Sequence, residues 1–115
     1  MTNLIPHLTW IPIPNWLTFR IVGDDPGLIR FRHGSQIVYI GMETVRLSNF
    51  RRFVTKGGSG RKHPAGQEIW AHRHELTLDY AVLHANPAEI ERVRNALIEK
   101  YQPAFNFEDH EPEED

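Results

Sequence analysis

Two neighbouring apolar segments separated by a glycine turn dominate the pattern of hydrophobic and polar positions. Residues 28–32 and 36–40 are rich in Ile, Val, Phe and Tyr, which favour β-strands. Gly34 lies between them and supplies the backbone freedom that a tight turn needs. The pattern therefore predicts a β-hairpin. A third strand is predicted over residues 75–83, where alternating apolar residues mark the expected buried face: Leu76, Leu78, Tyr80 and Val82.

The strongest helical signals occur over residues 87–101. Asn86 is a good N-cap, Pro87 suits the first helical position, and Glu89 stands where a capping-box acid belongs. An apolar stripe at helical spacing comprises Ile90, Val93, Leu97 and Tyr101. Further helices are expected over residues 44–54 and 64–72. This order of elements predicts an α+β sandwich, with a three-stranded, mainly antiparallel sheet flanked by helices.

Prolines divide the N-terminal residues 1–26 into an irregular arm. They forbid a long helix there, yet the arm is too apolar for a free tail. We expect it to pack on the domain or to form a homodimer by packing on a second subunit. At 115 residues, the chain is expected to form one domain with a modest core over residues 27–107. An acidic tail over residues 108–115 is expected to be disordered.

The charges are divided unevenly along the chain. The last nine residues carry six of the 15 acids, so the remainder has 13 basic and nine acidic residues, a net charge of about +4. Between Arg46 and Lys62 there are six basic residues and no acid. This cationic body suits a polyanion such as DNA, and an ordinary solvated face is the alternative. The acidic tail could compete with DNA for the basic face.

The composition also bears on compartment and metal chemistry. Without cysteine the chain cannot form disulfides or thiolate metal sites, and we expect a cytoplasmic protein. No apolar run approaches a membrane span, so a membrane partner is not expected. The N-terminus also lacks the pattern of a signal peptide. A zinc site through His72 and His74 would need a third ligand from elsewhere in the chain.

Several short motifs, taken with their spacing, resemble the GIY-YIG nuclease family. Gly27-Leu28-Ile29 opens the first hairpin strand, and Tyr39-Ile40-Gly41 ends the second, with a basic segment directly after it. Leu97-Ile98 and the segment from Tyr101 to Asn106 match later landmarks. The resemblance covers residues 27–107. It implies a GIY-YIG-like fold and an endonuclease that hydrolyses DNA phosphodiester bonds with Mg²⁺ or Mn²⁺.

The resemblance also implies roles for individual side chains. Tyr39 matches the second-strand tyrosine and would accept or relay a proton, with a core tyrosine whose ring is buried and whose hydroxyl is satisfied as the structural alternative. Arg46 and Arg51 are the two candidates for the arginine that binds the scissile phosphate through paired hydrogen bonds. Asn106 matches a terminal asparagine that orients Tyr39 or the metal ligand, with a turn or cap as the structural alternative. His63 is a candidate phosphate contact or general base.

Two departures from the family pattern affect the catalytic assignment. Ile29 replaces the first-strand tyrosine, and Arg94 stands where the family has its metal-binding glutamate. Position 94 shares a helix face with Ile90, so we expect Arg94 to point toward the sheet and to bind phosphate or Tyr39. Glu91, one turn earlier, is the candidate for a displaced metal ligand. A surface acid near the helix N-terminus is the alternative for Glu91.

Three functions remain open on the sequence alone. The first is a metal-dependent endonuclease, and the second is a nuclease-derived DNA-binding module without turnover. The third is a protein-interaction domain that uses the apolar arm as a dimer contact. Under the first two, further basic side chains contact nucleic acid: Arg52, Lys56, Arg61, Lys62 and Arg94.

Overall fold

The computed structural model of the chain describes residues 4–18, 24–53 and 64–106. Within these ranges the fold is α+β, with one four-stranded antiparallel sheet and two α-helices. The strands are β1 (Ile11–Ile13), β2 (Gly27–His33), β3 (Gln36–Glu43) and β4 (Thr77–Val82). The helices are a 3₁₀ helix (Leu47–Phe53), α1 (Pro64–Ala71) and α2 (Pro87–Tyr101).

The sheet has the strand order β1-β4-β2-β3, so the predicted three-stranded sheet is wrong by one strand within the described residues. The additional strand comes from the N-terminal arm, where Ile11 pairs with Tyr80 and Ile13 pairs with Leu78. Pro12 is tolerated because β1 is an edge strand, where a missing backbone donor can face away from the sheet. Residues 4–18 therefore pack on the domain of their own chain.

Two apolar clusters lie on opposite faces of the sheet. The 3₁₀ helix and α1 cover one face, which we call the 3₁₀ face; its cluster includes Ile29, Phe31 and Phe50. Helix α2 and the arm cover the other face, the α2 face, where the cluster includes Leu28 and Ile40. Successive side chains of a strand point to opposite faces, so this assignment follows directly from position in β2.

A β-bulge changes which face the residues of β3 occupy. Phe31 pairs with Tyr39, but Arg32 pairs with Ile37, so Val38 is an extra residue in β3. Val38 and Tyr39 consequently both belong to the apolar cluster of the 3₁₀ face, while Ile37 packs on the α2 face. The bulge brings the side chain of Tyr39 to the same face as the 3₁₀ helix.

The burial pattern of β4 differs from the expected alternation. Leu76 and Leu78 are buried as predicted, but Val82 is 38% exposed. On the opposite face, Asp79 and Ala81 are buried. The reason is that α2 and the arm cover this second face of the sheet, and Arg30 and Arg32 of β2 lie against Asp79.

The predicted helices are largely confirmed. Helix α2 has the expected bounds, and the side chain of Asn86 accepts a hydrogen bond from the backbone N–H of Glu89 at 2.8 Å. It ends at Gln102, which adopts a left-handed conformation (φ 48°) as the C-cap. Helix α1 agrees with the prediction over 64–72. The helix expected over 44–54 is the shorter 3₁₀ helix.

Asn106 pairs with the free edge of β3. Its amide oxygen accepts from the backbone N–H of Ile40, and its amide nitrogen donates to the carbonyl of Ile40, each at 2.9 Å. The backbone N–H of Phe105 also donates to the carbonyl of Val38 at 2.8 Å. Asn106 is fully buried. It thus satisfies two backbone groups that an edge strand would otherwise leave unpaired.

We predict that Asn106→Asp lowers the free energy of unfolding at pH 7 by about 2–4 kcal/mol, because a carboxylate oxygen would face the carbonyl of Ile40. Acidification should restore part of this loss, since a protonated carboxyl can donate. Urea unfolding at several pH values measures the difference from the native chain.

Asn95→Asp is the matched control, because Asn95 is exposed on α2. It should change stability by less than about 0.5 kcal/mol. A similar loss in both variants, or a loss for Asn106→Asp that does not shrink on acidification, would contradict this role of Asn106.

Candidate functional site

Tyr39 lies on the 3₁₀ face with its ring directed along β3. The residue is 6% exposed. Its hydroxyl passes close over Gly41, where a Cβ atom would lie 3.3 Å from that oxygen and 2.9 Å from a ring carbon. Any larger residue at position 41 would displace the ring. The absence of a side chain at Gly41 therefore leaves the space that the phenol occupies.

Glu43 is the next residue of β3 on the same face as Tyr39 and Gly41. It is only 4% exposed, an unusual position for a carboxylate. A buried carboxylate needs hydrogen bonds or positive charge around it, and Glu43 has such an interaction within the protein. The order phenol, glycine, carboxylate along one strand face is the most distinctive arrangement of polar groups around Tyr39. The sequence pattern did not indicate Glu43, because the second hairpin strand was predicted to end at residue 40, whereas β3 continues to Glu43.

The candidate arginines lie around the 3₁₀ helix. Arg46 precedes this helix and is exposed, with its Nε atom 3.7 Å from a carboxylate oxygen of Asp24. Arg51 is within the helix, and its Nη1 atom donates to the carbonyl of Leu17 at 3.2 Å. Both therefore belong to the segment that covers the face of Tyr39. The side chain of Arg52 lies outside the described residues, as do Lys56, Arg61, Lys62 and His63.

The candidate residues of α2 lie on the other side of the sheet from Tyr39. Glu91 is exposed on α2. Arg94 is half-buried at the edge of the apolar stripe, and its guanidinium donates to the side-chain oxygen of Asn95 at 2.9 and 3.2 Å. Because α2 packs on the α2 face, the sheet separates these two side chains from the phenol of Tyr39. The structure does not bring Glu91 and Tyr39 into one site.

Asn106 acts on the backbone next to Tyr39. Its amide binds the main chain of Ile40, the residue that follows Tyr39. The amide of Asn106 can therefore orient Tyr39 only indirectly, by holding the backbone of β3 in position.

A second tyrosine lies beside the position where the first-strand tyrosine is missing. In the pairing of β2 with β4, Ile29 is directly opposite Tyr80, and Ile29 is also opposite Gly41 in β3. Tyr80 is half-buried and packs against the cluster of the 3₁₀ face. A row across the sheet is thus formed by Tyr80, Ile29 and Gly41. Through Tyr80, strand β4 contributes a phenol to this face. Sequence reasoning missed it because the pairing of β4 with β2 is a long-range contact.

The α2 face contains a charged cluster around Asp79, which is 2% exposed. Its carboxylate accepts hydrogen bonds from Arg30 at 2.8 Å and from two nitrogens of Arg32. The guanidinium of Arg30 lies 4.3 Å from the ring centroid of Trp10, a cation–π contact. Burial by itself raises the pKa of Asp79, but the hydrogen bonds and charges of Arg32 and Arg30 outweigh it and hold this pKa below its usual value.

The arrangement of Asp79 explains its role in the sheet. Arg30 is directly opposite Asp79 in the pairing of β2 with β4. The cluster thus joins the two interior strands across the α2 face, and the arm adds Trp10 to it. We assign this cluster to stability, because the hydrogen bonds that the carboxylate of Asp79 accepts come from arginines of the neighbouring strand β2.

Within the described residues, the protein alone does not assemble a metal site. Among the described residues, no three His, Asp or Glu side chains are grouped closely enough to hold a metal ion. A site that shares its metal with substrate phosphates needs only one or two carboxylates, and Glu43 is a suitable donor for such a site.

We predict that acid weakens the fold through Asp79. Because the pKa of Asp79 is lowered in the folded state, its contribution is complete above about pH 4 and is lost as the pH falls through the folded value. Arg32→Gln removes the largest stabilising hydrogen bond and should lower the free energy of unfolding at pH 6 by about 1–3 kcal/mol.

Urea unfolding of the native chain and Arg32→Gln between pH 2.5 and 6 tests this prediction, and the two curves should converge at low pH. The hydrogen bond from Arg92 also lowers the pKa of Glu89, but this pair is identical in both proteins and cancels in the difference. A constant difference at every pH would show that Arg32 stabilises the sheet without Asp79.

No protein-family model, curated protein or solved structure matches this chain. None of the helices in the described ranges combines the length and apolar character needed to cross a membrane. The function must therefore be inferred from the site itself.

Proposed function

We propose that this chain is a GIY-YIG-like endonuclease domain that hydrolyses DNA phosphodiester bonds with a divalent metal ion at the 3₁₀ face. The observation that carries the proposal is the line of Tyr39, Gly41 and Glu43 along one face of β3. It joins a fixed phenol to a buried carboxylate. The order of a hairpin, two helical segments, a further strand and α2 is compatible with this proposal.

Each group has a distinct role in this proposal. Tyr39 hydrogen-bonds the attacking water or accepts its proton, and Gly41 leaves room for the phenol. Arg46 and Arg51, on the segment that covers this face, bind the phosphate oxygens and stabilise the charge that develops on them. Arginine suits this task because its planar guanidinium can donate two parallel hydrogen bonds.

Glu43 is the proposed ligand of Mg²⁺ or Mn²⁺ in place of a carboxylate from α2. Its position on the face of Tyr39 favours it over Glu91, which the sheet separates from the phenol. A bound divalent ion would polarise the scissile phosphate and lower the pKa of a water molecule.

A DNA-binding module without turnover is the second candidate. The separation of Arg94 and Glu91 from Tyr39 favours it, because no carboxylate from α2 reaches the phenol. In this case the basic side chains would bind the DNA backbone with strong salt dependence and without a metal requirement.

Nicking of supercoiled plasmid by the purified chain, with Mg²⁺ or Mn²⁺ and with EDTA, tests the first proposal. Tyr39→Phe and Glu43→Gln should each slow metal-dependent nicking at least about 100-fold, because each removes a group that acts on the phosphate or the metal. Tyr101→Phe and Glu91→Gln are matched controls on α2 and should nick at the native rate. Circular dichroism should show that all four variants are folded.

Two other results have clear meanings. Loss of nicking in Glu91→Gln but not in Glu43→Gln would overturn the assignment of the metal ligand. No nicking by the native chain, together with salt-sensitive retention of DNA in a gel shift, would replace the endonuclease by the binding module.

A further inference from the structure

A cleft of about 340 Å³ opens at the turn end of the hairpin. It is lined by His33, Gln36, Val38, His72, Glu75, Leu76 and Phe105, and we call it the turn cleft. Its volume is at the lower end of the range of small-ligand sites. None of the residues assigned above to phosphodiester hydrolysis lines it.

The floor of the turn cleft is apolar and aromatic. Val38 and Leu76 are buried members of the 3₁₀-face cluster. Phe105 is fixed by the hydrogen bond from its backbone to Val38. The ring of His72 lies 5.7 Å from that of Phe105, with an angle of 33° between their planes. A flat ring entering the cleft would meet two aromatic side chains whose positions are already set.

The polar groups of the turn cleft are mainly hydrogen-bond acceptors. The Nδ1 atom of His72 lies 3.0 Å from the carbonyl oxygen of Glu68, and in the tautomer that carries its proton on Nδ1 the Nε2 atom is an acceptor. Glu75 has an exposed carboxylate 3.9 Å from Nε2 of His33. Gln36 adds an amide that can both donate and accept. Acceptors above an aromatic floor suit a flat ligand that carries N–H donors.

We propose that the turn cleft binds an unpaired adenine or cytosine, the nucleobases that carry an exocyclic amino group where guanine and thymine carry a carbonyl. This inference rests on the proposed action on nucleic acid. The base would stack on Phe105 and His72, and its amino group would donate to Glu75. Carboxylates accept hydrogen bonds from such amino groups, whereas thymine carries a carbonyl at the corresponding position and would be repelled. The cleft would thus select a single-stranded or distorted region of the nucleic acid.

Titration with free nucleosides tests this proposal without a phosphodiester or a metal ion. Adenosine, cytidine and thymidine are added to the ¹⁵N-labelled full chain, and amide shifts are followed by NMR. Adenosine and cytidine should bind with a Kd of about 1–10 mM, with shifts confined to the residues of the cleft. Thymidine should bind about fivefold more weakly or worse.

Two variants separate stacking from recognition of the amino group. Phe105→Leu should weaken all three nucleosides by about fivefold or more. Glu75→Gln should reduce the preference over thymidine and leave stacking intact. Glu99→Gln, at an exposed position of α2, is the control and should bind as the native chain does.

Equal affinity for the three nucleosides, absence of binding at about 10 mM, or shifts located outside the cleft would each overturn the proposal. The result is independent of the plasmid assay. Nucleoside binding without nicking would retain the base site and remove only the hydrolytic function, whereas nicking without nucleoside binding would do the reverse.

Discussion

Strand β2 is paired with β3 on one side and with β4 on the other, and its side chains are buried on both faces. The close approach of β4 depends on Gly27, because a Cβ atom there would collide with the carbonyl oxygen of Ala81. This central strand divides the interior into two apolar compartments. Within the described residues, side chains that point from the interior strands to opposite faces therefore cannot meet across the sheet.

The bulge in β3 determines what the 3₁₀-face compartment contains. Without the extra residue Val38, the side chains on one side of the turn would exchange faces relative to their partners in β2. With it, Val38 contributes to the floor of the turn cleft while Tyr39 reaches toward Gly41 and Glu43. Two proposed sites thus depend on one irregularity of the strand.

Local signals in the sequence were sufficient for much of the fold. The hairpin follows from β-favouring segments around Gly34, and α2 follows from the cap at Asn86 and the spacing of its apolar residues. The short strand β1 could not be predicted, because Ile11–Ile13 becomes a strand only through pairing with β4, which is distant in sequence. The burial of Asp79 has a related cause, since it depends on Arg30 and Arg32 of β2, which are distant in sequence.

The site was less predictable than the fold for a related physical reason. A motif identifies residue types such as Tyr39, but periodicity within α2 indicates only which residues are buried, not which sheet face the helix covers. The location of Glu91 relative to Tyr39 depends on that choice of face. Glu43 and Tyr80 became candidates only when the register placed them on the face of Tyr39. The basic segment after the 3₁₀ helix lies largely outside the described residues and stays a prediction.

The pairing of Asn106 with Ile40 also bears on the solubility of shortened forms of the chain. A protein truncated before residue 105 would lose the three hydrogen bonds that cover part of the outer edge of β3. An apolar strand with an open edge is a template for strand addition between molecules. The residues from Pro103 to Asn106 therefore protect the edge of β3 against pairing with another molecule. A fusion partner or tag is better attached after these residues.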